Sequence, residues 1–201
     1  MIEFKNVFLK YVEEFFSLHN FSHTFNNNTV IIGDKLSGAD TVLRLIAKLD
    51  KSYEGDIFID GTNIKNLNDR NLNIAFVSDE PYLFKLRSLE YNLSYPLKIR
   101  GYNKEYIIKD VNELKTKFNL NEFKNIKKLT IGEKKIITLL RALIRKPKYV
   151  LLEYFFEDLP ISCIPLATEI INEICKNSII LACENKLPEC LKSAEIINMD
   201  N

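Results

Sequence analysis

Residues 33–41 constrain the fold of this chain more than any other segment. They follow the short apolar run 30–32 and precede residues 42–49, where apolar side chains recur at helical spacing. A strand, a glycine-containing loop and a helix in that order form a phosphate-binding loop, in which backbone N–H groups and a helix N-terminus surround an anion. The sequence therefore predicts the strand, loop and helix unit of a nucleotide-binding α/β domain.

The glycines of this loop have the required spacing, but the residues that handle phosphate and magnesium are replaced. Gly33 and Gly38 fit the pattern G-x-x-x-x-G-K-[ST], whereas Ala39 stands at the lysine and Asp40 at the hydroxyl position. A methyl group brings no positive charge to the phosphates. A carboxylate near 4 Å from a phosphate charge repels it by about 4 kcal/mol. The loop is predicted to keep its shape while its affinity for nucleotide is largely lost.

Composition limits the classes of function. The chain has 201 residues, 46% of them hydrophobic, which suits one domain spanning residues 1–201. Its net charge of +1 gives no electrostatic argument for a nucleic-acid partner. The cysteines lie late in the chain without C-x-x-C spacing, so we expect reduced thiols rather than a zinc site. Without a signal peptide or an apolar run of about 18 residues, a cytoplasmic protein is expected.

Apolar patterning predicts an alternation of strands and helices. Strands are predicted at residues 2–10, 15–25, 30–32, 55–61, 74–77, 149–152, 178–182 and 195–199. Helices are predicted at residues 42–49, 88–120 with breaks near Pro96 and Gly101, 129–144 and 165–175. The fold class is α/β: a P-loop NTPase-type, mostly parallel sheet flanked by helices, with an N-terminal antiparallel β-subdomain and an inserted helical subdomain at about residues 86–140.

The order of these motifs resembles the ATP-binding subunit of ABC transporters over residues 2–199. Residues 140–152 resemble the signature helix running into the Walker B strand. Residues 88–101 resemble the segment after the Q-loop, especially in importers, and residues 194–200 resemble the final strand. The resemblance implies docking on a transmembrane transporter subunit through residues 81–101.

The same resemblance assigns the positions that contact nucleotide. The cofactor-binding positions are Tyr11, which would stack on adenine, and Gly33, Ser37, Gly38, Ala39, Asp40 and Thr41 of the loop. The Q-loop glutamine, the Walker B aspartate and the catalytic glutamate correspond to Asp79, Glu153 and Tyr154. The switch histidine position is at or beside Glu184. The signature reads Leu-Thr-Ile-Gly-Glu at residues 129–133. A neighbouring basic cluster is interpreted as a solvated face; it comprises Lys124, Lys127, Lys128, Lys134 and Lys135.

These replacements decide the expected chemistry. The resemblance implies ATP and Mg²⁺ as ligands, with Asp40 and Glu153 as weak metal ligands, and the substitutions predict weak binding or none. Tyr154 replaces the catalytic glutamate, and a phenol with a pKa near 10 is a poor base at neutral pH. Since phosphoryl transfer depends on charge neutralisation and a positioned nucleophile, we predict little or no ATP hydrolysis and no functional catalytic residue.

Two hypotheses of different class follow. In the first, the chain is a diverged ABC-type ATP-binding subunit with an import-like partner in the membrane. It would pair as a heterodimer with an active ATP-binding subunit and lie at the inner face of the membrane. In the second, the chain is a soluble pseudo-ATPase that acts as a scaffold or regulator without a transporter. A third reading, an ATPase with substituted chemistry, requires measurable turnover.

Overall fold

The computed structural model describes residues 1–12, 15–69, 72–120, 123 and 125–199. The strands are β1 (Ile2–Val12), β2 (Phe15–Phe25), β3 (Thr29–Ile32), β4 (Glu54–Ile59), β5 (Thr62–Asn63), β6 (Ile74–Val77), β7 (Tyr149–Glu153), β8 (Ile179–Glu184) and β9 (Glu195–Asn198). The helices are α1 (Ala39–Ile46), α2 (Leu89–Lys98), α3 (Lys104–Lys117), α4 (Ile131–Leu143) and α5 (Ile164–Ile174).

The strands form two sheets, as the sequence predicted. A parallel sheet has the order β6-β7-β8-β3-β9, and an antiparallel sheet has the order β2-β1-β4-β5. Parallel strands need long crossover connections, and helices supply them here. The predicted α/β class with an N-terminal antiparallel sheet is confirmed.

The central strands of the parallel sheet are buried on both faces, which explains their apolar sequences. Val150 and Leu152 of β7 belong to the core that is shared with α2, α3, α4 and α5. Tyr149 and Leu151, which alternate with them, belong to the core that α1 and the antiparallel sheet complete. The sheet therefore lies between two hydrophobic cores.

The predicted helix break at Pro96 is wrong. Helix α2 continues through Pro96 to Lys98, and the chain turns at Gly101, where φ is +77°. Leu93 and Leu97 of α2 are fully buried in the core. Burial of this face outweighs the backbone hydrogen bond that proline cannot donate.

Smaller differences concern where elements end. Helix α1 ends at Ile46, short of the predicted residue 49. Strand β7 extends to Glu153 and strand β8 to Glu184, so both side chains stand at the carboxyl end of the parallel sheet. The short strand β5 was not predicted.

At Gly38, where α1 begins, there is no space for a side chain. It precedes the helix with φ +85°, and a Cβ built there would lie 2.0 Å from the carbonyl oxygen of Ser17 in β2. Gly101 has a similar φ of +77°, but a Cβ there would meet no atom within 4 Å. Close approach of two backbones therefore requires glycine at position 38.

We expect Gly38→Ala to destabilise the protein by roughly 3 kcal/mol, because strain and overlap add. Gly101→Ala is the matched control and should cost only about 1 kcal/mol, the penalty of a left-handed backbone. Urea unfolding followed by circular dichroism measures both. Equal losses at the two positions would contradict the steric argument.

Candidate functional site

The carboxyl ends of the parallel strands bring the predicted site residues together, as is general for such sheets. The loop after β3 contacts the end of β8, where the Gly33 N–H donates to the carbonyl of Glu184 over 3.3 Å. It also contacts the segment after β6, where Lys35 Nζ lies 3.2 Å from Asp79 Oδ2. The end of β7 completes the site through Tyr154, which contacts the same loop.

Side chains of the phosphate-binding loop accept hydrogen bonds from backbone N–H groups of the same loop. Asp34 Oδ1 accepts the N–H of Leu36 over 2.7 Å. Ser37 Oγ accepts the N–H of Ala39 over 3.3 Å and donates to the carbonyl of Asp34 over 2.8 Å. In a phosphate-binding loop such N–H groups point at the anion. Here side chains of the loop occupy two of them, the N–H groups of Leu36 and Ala39.

The N-terminus of α1 carries its own negative charge. Asp40 lies in the first turn of α1 and is half-buried. Burial raises the pKa of Asp40, while the neighbouring backbone N–H groups and Arg44 act in the opposite direction. The Thr41 hydroxyl lies 2.5 Å from Ser17 Oγ and is buried. A carboxylate thus takes the place at the helix N-terminus that favours an anion.

Tyr154 fastens the loop to the sheet. Its hydroxyl donates to the carbonyl of Asp34 over 2.8 Å and to that of Gly33 over 3.2 Å. The residue is 2% exposed, and burial raises its pKa above the ordinary value for a phenol. The hydroxyl therefore keeps its proton and points at the loop, which is the opposite of what a catalytic base needs.

Glu153 lies beside a cation of α1. It is 7% exposed, and its Oε1 lies 3.6 Å from a guanidinium nitrogen of Arg44. Burial raises its pKa, Arg44 opposes that shift, and Asp40 and Asp79 reinforce it. Since Arg44 already acts on both Asp40 and Glu153, this pair fits Mg²⁺ poorly. In the described part of the chain no group of three or more His, Cys, Asp or Glu residues could hold a metal ion.

Glu184, at the position of the switch histidine, points inward. It is 2% exposed, and its Oε1 accepts the N–H of Phe156 over 3.0 Å. Burial raises its pKa to about 8, whereas the Phe156 hydrogen bond and Lys135 favour the charged form. Lys135 was interpreted as part of a solvated face, and that interpretation is wrong, because it is 2% exposed. Lys124 of the same cluster lies outside the described residues.

The signature segment caps its own helix. Glu133 N–H donates to Thr130 Oγ1 over 3.3 Å, and Thr130 N–H donates to Glu133 Oε2 over 2.7 Å. This reciprocal capping box satisfies donors at the start of α4. Ile131 between them is 53% exposed. A Cβ on Gly132 would lie 2.7 Å from Cys163 Sγ, so this glycine is required by packing within the chain.

Sequence reasoning assigned several site positions and missed others. Lys35, Arg44 and Lys135 were not assigned to the site. The spacing of Arg44 from Asp40 places these two residues on one face of α1, and this could have indicated that Arg44 belongs to the site. Nothing in the sequence indicated that Lys35 would reach Asp79. The side chain of Tyr11 lies outside the described residues, so adenine stacking by it stays a prediction.

Comparison with known proteins agrees with this arrangement. The family model for ABC transporters matches residues 18–153. The Fe(3+) ions import ATP-binding protein FbpC of Escherichia coli O157:H7 is 31% identical over 158 residues, which are 70% of this chain and 45% of that protein. The sn-glycerol-3-phosphate import ATP-binding protein UgpC of Jannaschia sp. (strain CCS1) is 32% identical over 136 residues, 67% of this chain and 38% of that protein. The chain spans less than half the length of these relatives.

Solved structures share the fold. The dimeric bacterial ABC transporter cassette MJ0796 has a TM-score of 0.84 and 22% identity, covering 99% of this chain and 95% of that one. The post-hydrolysis dimer of MJ0796 with ADP and Pi has a TM-score of 0.79 and 23% identity, covering 92% and 88%. Within the described residues, no helix has the length and apolar character needed to cross a membrane.

Tyr154→Phe removes a buried donor and leaves two loop carbonyls without it. We expect a loss of about 1–2 kcal/mol in the free energy of unfolding, measured by urea titration. Tyr82→Phe is the control, because Tyr82 is 67% exposed and its loss should fall within about 0.5 kcal/mol. No difference between the two variants would show that the Tyr154 hydroxyl does not hold the loop.

Proposed function

This chain belongs to the ABC transporter family of ATP-binding domains, and we propose that it is a diverged, import-type subunit that hydrolyses ATP slowly or not at all. It couples to a transmembrane subunit at the inner face of the membrane. It pairs with a second ABC ATP-binding subunit, as a heterodimer in which the partner supplies the active chemistry.

The observation that carries the proposal is that side chains of the chain engage backbone donors of the phosphate-binding loop. Asp34 accepts the Leu36 N–H, Ser37 accepts the Ala39 N–H, and Asp40 places a carboxylate in the first turn of α1. ATP would have to displace these contacts and approach the carboxylates of Asp34 and Asp40 without a lysine at position 39. ATP and Mg²⁺ are therefore proposed as weak ligands.

Replacement of the catalytic glutamate by Tyr154 argues against ATP hydrolysis, independently of how well nucleotide binds. Tyr154 is held on the loop carbonyls with a raised pKa, and Glu184 is turned toward Phe156. Neither group is free to orient or deprotonate an attacking water. Slow chemistry would then follow even where nucleotide is bound.

An exposed apolar segment supports a docking role. Tyr82 is 67%, Phe84 38% and Leu86 81% exposed. Asn92 of α2 is fully buried and fixes this segment, since its Oδ1 accepts the Phe84 N–H over 2.8 Å and its Nδ2 donates to the Phe84 carbonyl over 3.2 Å. Exposed apolar patches on a fixed loop are typical of protein interfaces. The relatives named as import ATP-binding proteins favour a transporter subunit as the partner.

Hydrolysis is tested by phosphate release from MgATP with the purified chain. We expect a rate at background for the wild type, with Glu153→Gln and Tyr154→Phe indistinguishable from it, because neither residue acts in turnover. Turnover by the wild type that either substitution abolished would contradict the proposal and would establish an ATPase with substituted chemistry.

Docking is tested by crosslinking in cells, purification of this chain and identification of attached membrane proteins by mass spectrometry. We expect an ABC transmembrane subunit with the wild type, at least tenfold less with Tyr82→Ser combined with Leu86→Ser, and no loss with the control Ile108→Ser combined with Ile161→Ser. Both control residues are exposed, at 50% and 86%. A complex without any transmembrane protein would favour the soluble scaffold instead.

A further inference from the structure

The segment 155–160, here called the post-β7 segment, is held from two sides by buried ionisable side chains. It directly follows Tyr154 and runs beside the start of α4. Lys135 of α4 lies on one side and Glu184 at the end of β8 on the other, and each is 2% exposed. Charged groups are rarely buried to this extent without a specific partner.

Both side chains form hydrogen bonds with the backbone of this segment, at adjacent residues. Lys135 Nζ donates to the carbonyl of Phe155 over 3.2 Å. Glu184 Oε1 accepts the N–H of Phe156 over 3.0 Å. The Phe155 and Phe156 rings pack edge to face with centroids 5.0 Å apart. Two consecutive peptide groups are thereby tied to two different elements of the fold.

The segment is also packed against the signature end of α4. A Cβ on Gly132 would lie 2.7 Å from Cys163 Sγ and 2.9 Å from Pro160 Cγ. Asn185, next to Glu184, donates to Glu157. Movement of the post-β7 segment would therefore require α4 and the end of β8 to separate from it.

We propose that Glu184 and Lys135 are positioning residues that together clamp the post-β7 segment in one conformation without nucleotide. The position that the family resemblance assigns to the switch histidine thus serves an internal contact. That reading of the position rests on the proposed function, whereas the clamp itself rests on the contacts above.

The charge environment gives the direction of a pH effect on this contact. The titratable groups that interact electrostatically with Glu184 are Glu157 of the segment, Lys135 of α4 and the Cys183 and Cys190 thiols, and those that interact with Lys135 include Asp79 and Asp158. Burial raises the pKa of Glu184 to about 8. Because the buried side chain prefers its proton, a rise in pH through that value favours an opened segment.

The test is hydrogen exchange of the Phe156 amide, measured site by site and divided by its intrinsic rate. We expect slow exchange in the wild type that MgATP does not change. Glu184→Ala removes the acceptor and Lys135→Met removes the second anchor, so each should speed exchange at least tenfold. Lys128→Met is the control, because Lys128 is an exposed lysine on the preceding turn, and it should leave the rate unchanged.

The pH dependence of Phe156 amide exchange distinguishes the clamp from a contribution of general packing. Between one unit below and one unit above the Glu184 pKa of about 8, the normalised rate should rise severalfold in the wild type. It should stay flat in Glu184→Gln, which keeps the acceptor oxygen and cannot ionise. Protection in Glu184→Ala equal to that of the wild type, or an equal pH response in Glu184→Gln, would overturn the proposal.

The outcomes are separable from those that test the proposed function. Phosphate release and membrane crosslinking do not report on the Phe156 amide. If the clamp is absent and turnover is at background, only this inference fails. If exchange is slow but MgATP slows it further at least tenfold, the segment responds to nucleotide and the inference is likewise overturned.

Discussion

The structure of the site depends on where the backbone N–H groups of the phosphate-binding loop send their hydrogen bonds. A loop of this kind presents several donors at one point, together with a helix N-terminus, and buried donors must be satisfied. In this chain Asp34 and Ser37 accept two of them, the N–H groups of Leu36 and Ala39, and Asp40 adds a carboxylate in the first turn of α1. These two donors therefore have partners without a phosphate group.

The other half of the site follows the same rule. At the signature, Thr130 and Glu133 cap α4 reciprocally. At the end of β7, Tyr154 donates to the loop rather than facing a water. The family resemblance assigns Ser37, Tyr154 and Glu184 to the nucleotide site, and each of them makes a hydrogen bond within the chain. Contacts within the chain hold the loop, so its fold does not depend on a bound ligand.

Much of this arrangement could be predicted from the sequence. The order of glycines, apolar runs and helical periodicity gave the α/β class, the two sheets and the place of the loop, since those patterns are set by local geometry. The predicted strands 149–152 and 178–182 stopped short of Glu153 and Glu184, which end β7 and β8. The break at Pro96 was wrong because core packing overrode a local preference. The burial of Lys135 could not be foreseen, since a lysine in a basic run usually lies in solvent, and only the tertiary structure brings Phe155 and Glu184 to it.

The most direct test is calorimetric titration of MgATP into the wild type and into the double variant Asp34→Ala with Asp40→Ser. If carboxylates of the chain occupy the donors that a phosphate requires, removing them should tighten binding at least tenfold, even with Ala39 in place. Wild-type binding as tight as that of the variant would contradict the account, because it would mean that ATP reaches those donors despite Asp34 and Asp40.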